Sequence, residues 1–267
     1  MPWPLRCRTE PGDSPVRRST IAGLSPVERR RVDCRIIISY TARRPLKKVS
    51  RACCERGAPI RLICLSLQDV DADACVAWAQ CVPAQVTVEL IEVHRSDFFE
   101  GSGQRDLASL AQQIARRLES CVRFGGYAVF GHGVCALLAF ELLHALRVRG
   151  ALLPRCLLVS GVAAPGCFAF DGSVLGLPGP VWCSSLIYRQ RPRTPLACPI
   201  HILCGVDDRV TGRQLRDWGD ETSVGVTLRR FEGGHLYFEM QASEMVAHLS
   251  KLLAHPEGAC LRSTSAY

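Results

Sequence analysis

No stretch of this 267-residue sequence approaches the roughly 18 to 20 consecutive apolar residues that span a bilayer. The N-terminus also lacks the compact apolar core of a secretory signal. Both absences point to a cytoplasmic protein with no membrane partner. Cysteine pairing is missing as well. Fifteen cysteines are present, yet none stands in a C-x-x-C spacing, and Cys53 and Cys54 are adjacent. The remainder are scattered along apolar runs such as Leu62-Ile63-Cys64-Leu65 and Cys156-Leu157-Leu158-Val159. Zinc sites need paired ligands at short turns, so neither a metal nor any other cofactor is expected. Free cysteine packs as a small hydrophobe, which makes these residues core filler in a reducing compartment.

What is present is an ordinary globular composition, 48% hydrophobic and 22% charged. The net charge of +8 is unevenly placed. Residues 1–58 hold 14 Lys/Arg against 5 Asp/Glu, whereas the rest of the chain holds 19 against 20. The basic segment has no sustained hydrophobic period, so it reads as a solvated or disordered extension. A nucleic-acid-binding arm and an organelle presequence are the alternatives, and neither has a supporting aromatic or amphipathic pattern. No nucleic-acid partner is therefore expected. The expected organisation is an extension over 1–58, one domain over 59–256 and a tail over 257–267.

From Ile60 onward apolar runs alternate with helical stretches. Strands are expected at residues 61–67, 86–93, 126–130, 156–160, 200–204 and 226–231. Helices are expected at 73–81, 107–121, 135–149, 214–218 and 243–255, with a Gly/Pro-rich loop over 161–199. In the second helix Leu107, Leu110, Ile114, Leu118 and Cys121 share one face. Strands alternating with helices of this length imply an α/β fold, a mostly parallel sheet with helices on both faces. Chemistry in such sheets collects at the C-terminal ends of the strands.

One strand end carries Tyr127-Ala128-Val129-Phe130-Gly131-His132-Gly133-Val134-Cys135, running through a tight turn straight into a helix. That is the setting of the G-x-S-x-G nucleophile elbow. Here the serine position is Gly133 and the final glycine is Cys135. Two further strand ends hold Gly205-Val206-Asp207-Asp208 and Gly233-Gly234-His235. Taken alone, an acid pair after a strand is most often a loop cap, and a histidine after two glycines a turn residue.

The run FGHGVCALLAFELLHALRVRG, followed by LLVSGVAAP over Leu157–Pro165, resembles the type II thioesterases of polyketide and nonribosomal-peptide synthesis. Their elbow reads F-x-G-H-S-x-G-A-x-x-A-F-E. The resemblance covers roughly residues 60–255 and implies an α/β-hydrolase fold. The family's G-x-x-D acid maps onto Asp208, with the adjacent Asp207 as an alternative, and its G-G-H-F/M histidine maps onto His235. Its partners are acyl or peptidyl carrier proteins bearing phosphopantetheine thioesters.

The departures from that family are equally specific. A serine thioesterase uses a hydroxyl to attack the thioester, a histidine to take its proton and an acid to orient the imidazole. Two backbone N–H groups receive the oxyanion. Gly133 has no side chain, so covalent acyl transfer there is impossible. Of the oxyanion donors, one is expected from Val134 and the other from Gln68, in Ser66-Leu67-Gln68-Asp69-Val70-Asp71. The family's P-H-A-G-G-like glycines are missing from that loop. Pro165 and the P-L-x-C-P-I segment from Pro195 to Ile200 are also close in sequence, which implies a shortened lid. Cys135 at the helix start is a poor substitute nucleophile, because the residue two beyond the elbow's centre packs helix against strand. A glycine at the elbow is easily accommodated, since its backbone conformation costs another residue roughly 1–3 kcal/mol. The sequence thus leaves two roles open: a thioesterase-like enzyme with a substitute for the serine, or a non-catalytic module that binds carrier proteins or a synthase.

Overall fold

The computed structural model describes residues 60–67, 72–100, 103–104, 106–122, 126–169, 188 and 192–254. The extension over 1–58, the tail over 257–267, the oxyanion candidate Gln68 and most of the lid interval lie outside the described residues.

The strands are β1 (Ile60–Leu67), β2 (Val86–Val93), β3 (Phe99–Glu100), β4 (Gly103–Gln104), β5 (Tyr127–His132), β6 (Leu157–Ser160), β7 (Ile200–Gly205) and β8 (Val226–Phe231). The helices are α1 (Ala72–Cys81), α2 (Leu107–Val122), α3 (Val134–Val148), α4 (Gly212–Arg216), α5 (Tyr237–Met240) and α6 (Ala242–Ala254). Six strands form one sheet in the order β2-β1-β5-β6-β7-β8. Every pairing in it is parallel, and β3 with β4 makes a separate antiparallel pair that the sequence pattern did not suggest.

The chain steps from β1 outward to β2 and then returns to the other side of β1 to lay down β5. With right-handed crossovers, that reversal puts α1 on one face and α2 and α3 on the other. The packing agrees: α2 lies against α3, and α1 against α6. The reversal opens a crevice above the ends of β1 and β5, the usual ligand position in such sheets.

Burial explains the elements. All residues of β1, β5, β6 and β7 are buried, as expected for strands covered on both faces. The one charge within β1, Arg61, is accommodated by a bidentate pair with Glu89 of β2 at 2.5 and 2.6 Å. Edge strand β8 instead exposes Leu228, Arg229 and Arg230, and charge on an edge discourages further strand addition. Helix α2 buries Leu107, Leu110, Ile114 and Leu118 as its spacing predicts, but closes the face with Val122 while Cys121 is half-buried. Helix α3 is buried on nearly every side from Val134 to His144, so its apolar run is a central helix rather than an amphipathic one. Of the nine described cysteines, six are buried. No described helix is long and apolar enough to cross a membrane.

Candidate functional site

The site is assembled from the ends of β5, β6, β7 and β8. Strand β5 ends at His132 and α3 begins at Val134, leaving Gly133 alone to turn the chain, with φ 54° and ψ −125°. A left-handed φ of this kind is strained for any residue with a Cβ. Glycine takes up this sharp turn without that strain. Gly133 N–H donates to the carbonyl of Ser160 at 2.8 Å, which pins the turn to β6. A Cβ on Gly131 would lie 2.3 Å from the carbonyl oxygen of Cys135, so strand and helix meet there with no room to spare. Cys135 itself is fully buried, consistent with packing rather than nucleophilic attack.

Strand β7 delivers the acid. Asp208 Oδ2 lies 3.1 Å from His235 Nδ1, and both side chains are largely shielded. The neighbouring Asp207 is exposed, so of the two candidates it is Asp208 that reaches the histidine. Burial alone would raise the Asp208 carboxyl. The hydrogen bond and charge of His235, the Val210 N–H and His132 together outweigh burial and hold it below the usual carboxylate range. Asp208 is thus ionised and accepts from His235 Nδ1–H.

His235 Nε2, the atom that would take a nucleophile's proton, is already engaged. It lies 3.1 Å from His132 Nε2. His132 Nδ1 in turn lies 3.0 Å from Ser160 Oγ, which lies 2.9 Å from the Tyr237 hydroxyl. With both imidazoles neutral, only one direction satisfies every group. Tyr237 donates to Ser160, Ser160 to His132 Nδ1, His132 Nε2–H to His235 Nε2, and His235 Nδ1–H to Asp208. Burial, then the nearby His235, push the His132 imidazole well below its ordinary pKa, with Asp208 opposing more weakly. Burial raises the Tyr237 phenol despite its bond to Ser160. The ring of Phe238 supports His132 edge-on, centroids 4.7 Å apart.

Gly161 makes this arrangement possible. Its φ is +59°, and a Cβ there would lie 2.7 Å from His132 Cε1 and 2.9 Å from His235 Cε1. Val134 opens α3, placing its N–H among the first-turn donors that a helix leaves without an intrahelical acceptor. Among the described residues no three His, Cys, Asp or Glu side chains converge as a metal site requires.

Nothing local in the sequence singles out His132, Ser160 or Tyr237 as partners. Each lies within a recognised run, but the contacts join residues 28, 77 and 103 positions apart. The Ser160–Tyr237 bond has a stability consequence. Tyr237→Phe should lower stability by about 1 kcal/mol, the net worth of one buried hydrogen bond. A urea midpoint unchanged from wild type would show that this hydroxyl contributes nothing.

The thioesterase-domain family model matches residues 62–176. The thioesterase PikA5 of Streptomyces venezuelae is 26% identical over 76% of this chain and 84% of its own length. The thioesterase RedJ from the prodiginine pathway of Streptomyces coelicolor superposes with a TM-score of 0.58 at 28% identity, covering 73% of this chain and 86% of RedJ. The type II thioesterase BorB from the borrelidin biosynthetic cluster gives a TM-score of 0.58 at 26% identity, over 73% and 93% of the two chains. Over residues 62–176 this chain thus matches the thioesterase domain, and in sequence and fold it resembles the type II thioesterases of polyketide and nonribosomal-peptide pathways.

Proposed function

We propose that this chain serves polyketide or nonribosomal-peptide biosynthesis in the cytoplasm. It engages acyl or peptidyl thioesters on the phosphopantetheine arm of carrier proteins without forming an acyl-enzyme. The pathway class rests on its similarity to PikA5, BorB and the gramicidin S biosynthesis protein GrsT of Aneurinibacillus migulanus. The observation that carries the non-covalent part is Gly133, which occupies the elbow turn and offers no hydroxyl. His235 Nε2 has instead been given a hydrogen-bond donor within the protein, His132.

A second reading is favoured by the Asp208–His235 contact at 3.1 Å. In it a water in the space left by the serine attacks the thioester carbonyl and His235 Nε2 accepts its proton. The thiolate leaves and is reprotonated. For this His235 must release the bond from His132, so that its lone pair faces the water.

One experiment separates the two. Purified protein is incubated with acyl-pantetheine thioesters and with an acylated carrier protein, alongside His235→Ala. The non-covalent reading expects identical, background hydrolysis by both proteins and carrier binding that survives the substitution. Hydrolysis well above the His235→Ala control assigns the protein to the water route. Absence of any carrier affinity in both proteins overturns the binding reading.

A further inference from the structure

Away from the elbow, a cavity of about 530 Å³ lies against α2, the C-terminal half of α3 and residues 193–194. That volume falls within the range of small-molecule sites. His144 stands eleven residues beyond Gly133 along α3, roughly 16 Å at the helical rise, so the cavity is separate from the Asp208–His235 pair.

Its lining is strongly basic. Arg116, Arg147, Arg149 and Arg193 face it, with Glu141 the one carboxylate among the lining residues. Glu141 is already committed: Oε1 accepts from the Tyr188 hydroxyl at 2.7 Å and Oε2 pairs with Arg193 at 2.7 Å. It is therefore not a counter-ion for the other arginines. Arg149 pairs with Glu119, both partly exposed. Arg147 is held by the carbonyls of Thr194 and Pro195 at 2.9 and 3.0 Å, which fixes its guanidinium at the cavity wall. Arg116 is exposed and forms no ion pair among the described residues.

The second observation is His144. Arg147 Nη2 lies 3.1 Å from His144 Nδ1, and a guanidinium only donates. Nδ1 must therefore be the bare acceptor nitrogen, which puts the ring proton on Nε2. That N–H is buried and has no acceptor among the described residues. A buried donor left unsatisfied in a native protein calls for an explanation. Three arginines with spare N–H groups beside an orphaned imidazole N–H form a set that donates and carries positive charge. Its complement is an oxyanion: guanidinium forks match phosphate and carboxylate groups.

We propose that this cavity binds a small organic anion, a phosphate- or carboxylate-bearing molecule, at Arg116, Arg147 and His144. The site is independent of the thioester chemistry, and the bound oxygen is the acceptor that His144 Nε2–H otherwise lacks.

The test is calorimetric titration of the full chain with inorganic phosphate, phenyl phosphate and benzoate at 0.15 M salt, where loose surface attraction is screened. Saturable binding of at least one anion at one site per chain is expected. Arg116→Ala should weaken it at least fivefold and Arg116→Glu abolish it, with thermal midpoints unchanged because the side chain is exposed. His144→Phe, which keeps the ring volume and removes both nitrogens, should weaken it as well. Arg230→Glu on β8, with the same charge change, should have no effect. Binding by the phosphates alone or by benzoate alone assigns the headgroup, and binding by both assigns a shared oxyanion site. No saturable binding of any of the three overturns the proposal, and so does binding that ignores both Arg116 substitutions or falls equally with Arg230→Glu.

Discussion

Gly133→Ser is expected to yield a folded protein that gains no substantial thioester hydrolysis over wild type. The new Cβ must adopt the backbone at φ 54° and ψ −125°, at a cost of roughly 1–3 kcal/mol. For a domain of this size each kilocalorie lowers the melting midpoint by about 2–4 °C. The hydroxyl must then win the His235 Nε2 lone pair from His132 Nε2–H, which holds it at 3.1 Å. Displacing that donor leaves it buried and unsatisfied, a further cost of about 1–3 kcal/mol. Charged to the reactive geometry, this alone is worth roughly 5- to 150-fold in rate. The sequence Gln68–Asp71, where the family resemblance places the second oxyanion donor, is expected to be a further handicap, because it has two carboxylates and no glycine. The variant should be compared with wild type by thermal melting, by acyl-pantetheine hydrolysis and by mass spectrometry after exposure to a fluorophosphonate. Rapid hydrolysis with a covalent adduct at residue 133 would mean that the missing hydroxyl is the sole defect, and that the His132 bond yields at no cost.

The parts of the fold legible in the sequence were those governed by local periodicity. The six long strands and the helices over α1, α2, α3 and α6 coincide with apolar runs and helical faces, because burial on two sides or one imposes those patterns. The shorter pieces were not legible in this way. Helix α4 begins at Gly212, two residues ahead of the expected start. Thr211 caps it through Gln214 in a reciprocal capping box, and that T-x-x-Q spacing was a usable signal. Helix α5, directly after His235, is a single turn, too short to show a period. At the site, the order Gly133, Asp208, His235 could be read because motifs are local in sequence. The directed chain through His132, Ser160 and Tyr237 could not, since it depends on which strand ends the sheet order brings together. Gly161 is intermediate. Its presence in Leu157–Pro165 was plain, but only the histidine pair pressing on it shows why a side chain is excluded.

The buried histidines also make an acid-sensitive fold the expected result. Burial, then the adjacent Arg193 and Arg147, lower His144 to about 3. Burial, then His248, lowers His201 to about 4, where the ring meets Thr227 Oγ1 at 2.5 Å. His132 and His248 are also lowered, with burial the largest cause for both. Above about pH 6.5, the ordinary histidine value, neither folded nor unfolded chain carries these protons and they leave stability unchanged. As pH falls below that value the unfolded chain takes up protons that the folded chain refuses. Stability therefore drops, at about 1.4 kcal/mol per group per pH unit. His144 and His201 alone give about 2.7 kcal/mol per unit from near pH 6 down to about 4. His132 and His248 act in the same direction. The lowered Asp208 adds to the loss only in the carboxylate range, and the raised Glu221 opposes it there. Against a typical total of about 5–15 kcal/mol, two units of acidification should remove much of the stability. Urea unfolding at pH 7.5, 6.0 and 5.0 is expected to show a steadily falling midpoint. His201→Gln should flatten that fall by close to one proton's worth of slope, because glutamine replaces a refused proton with a neutral group. A midpoint that holds level from pH 7.5 to 5.0 would mean that these imidazoles are protonated in the folded protein as readily as in the unfolded chain.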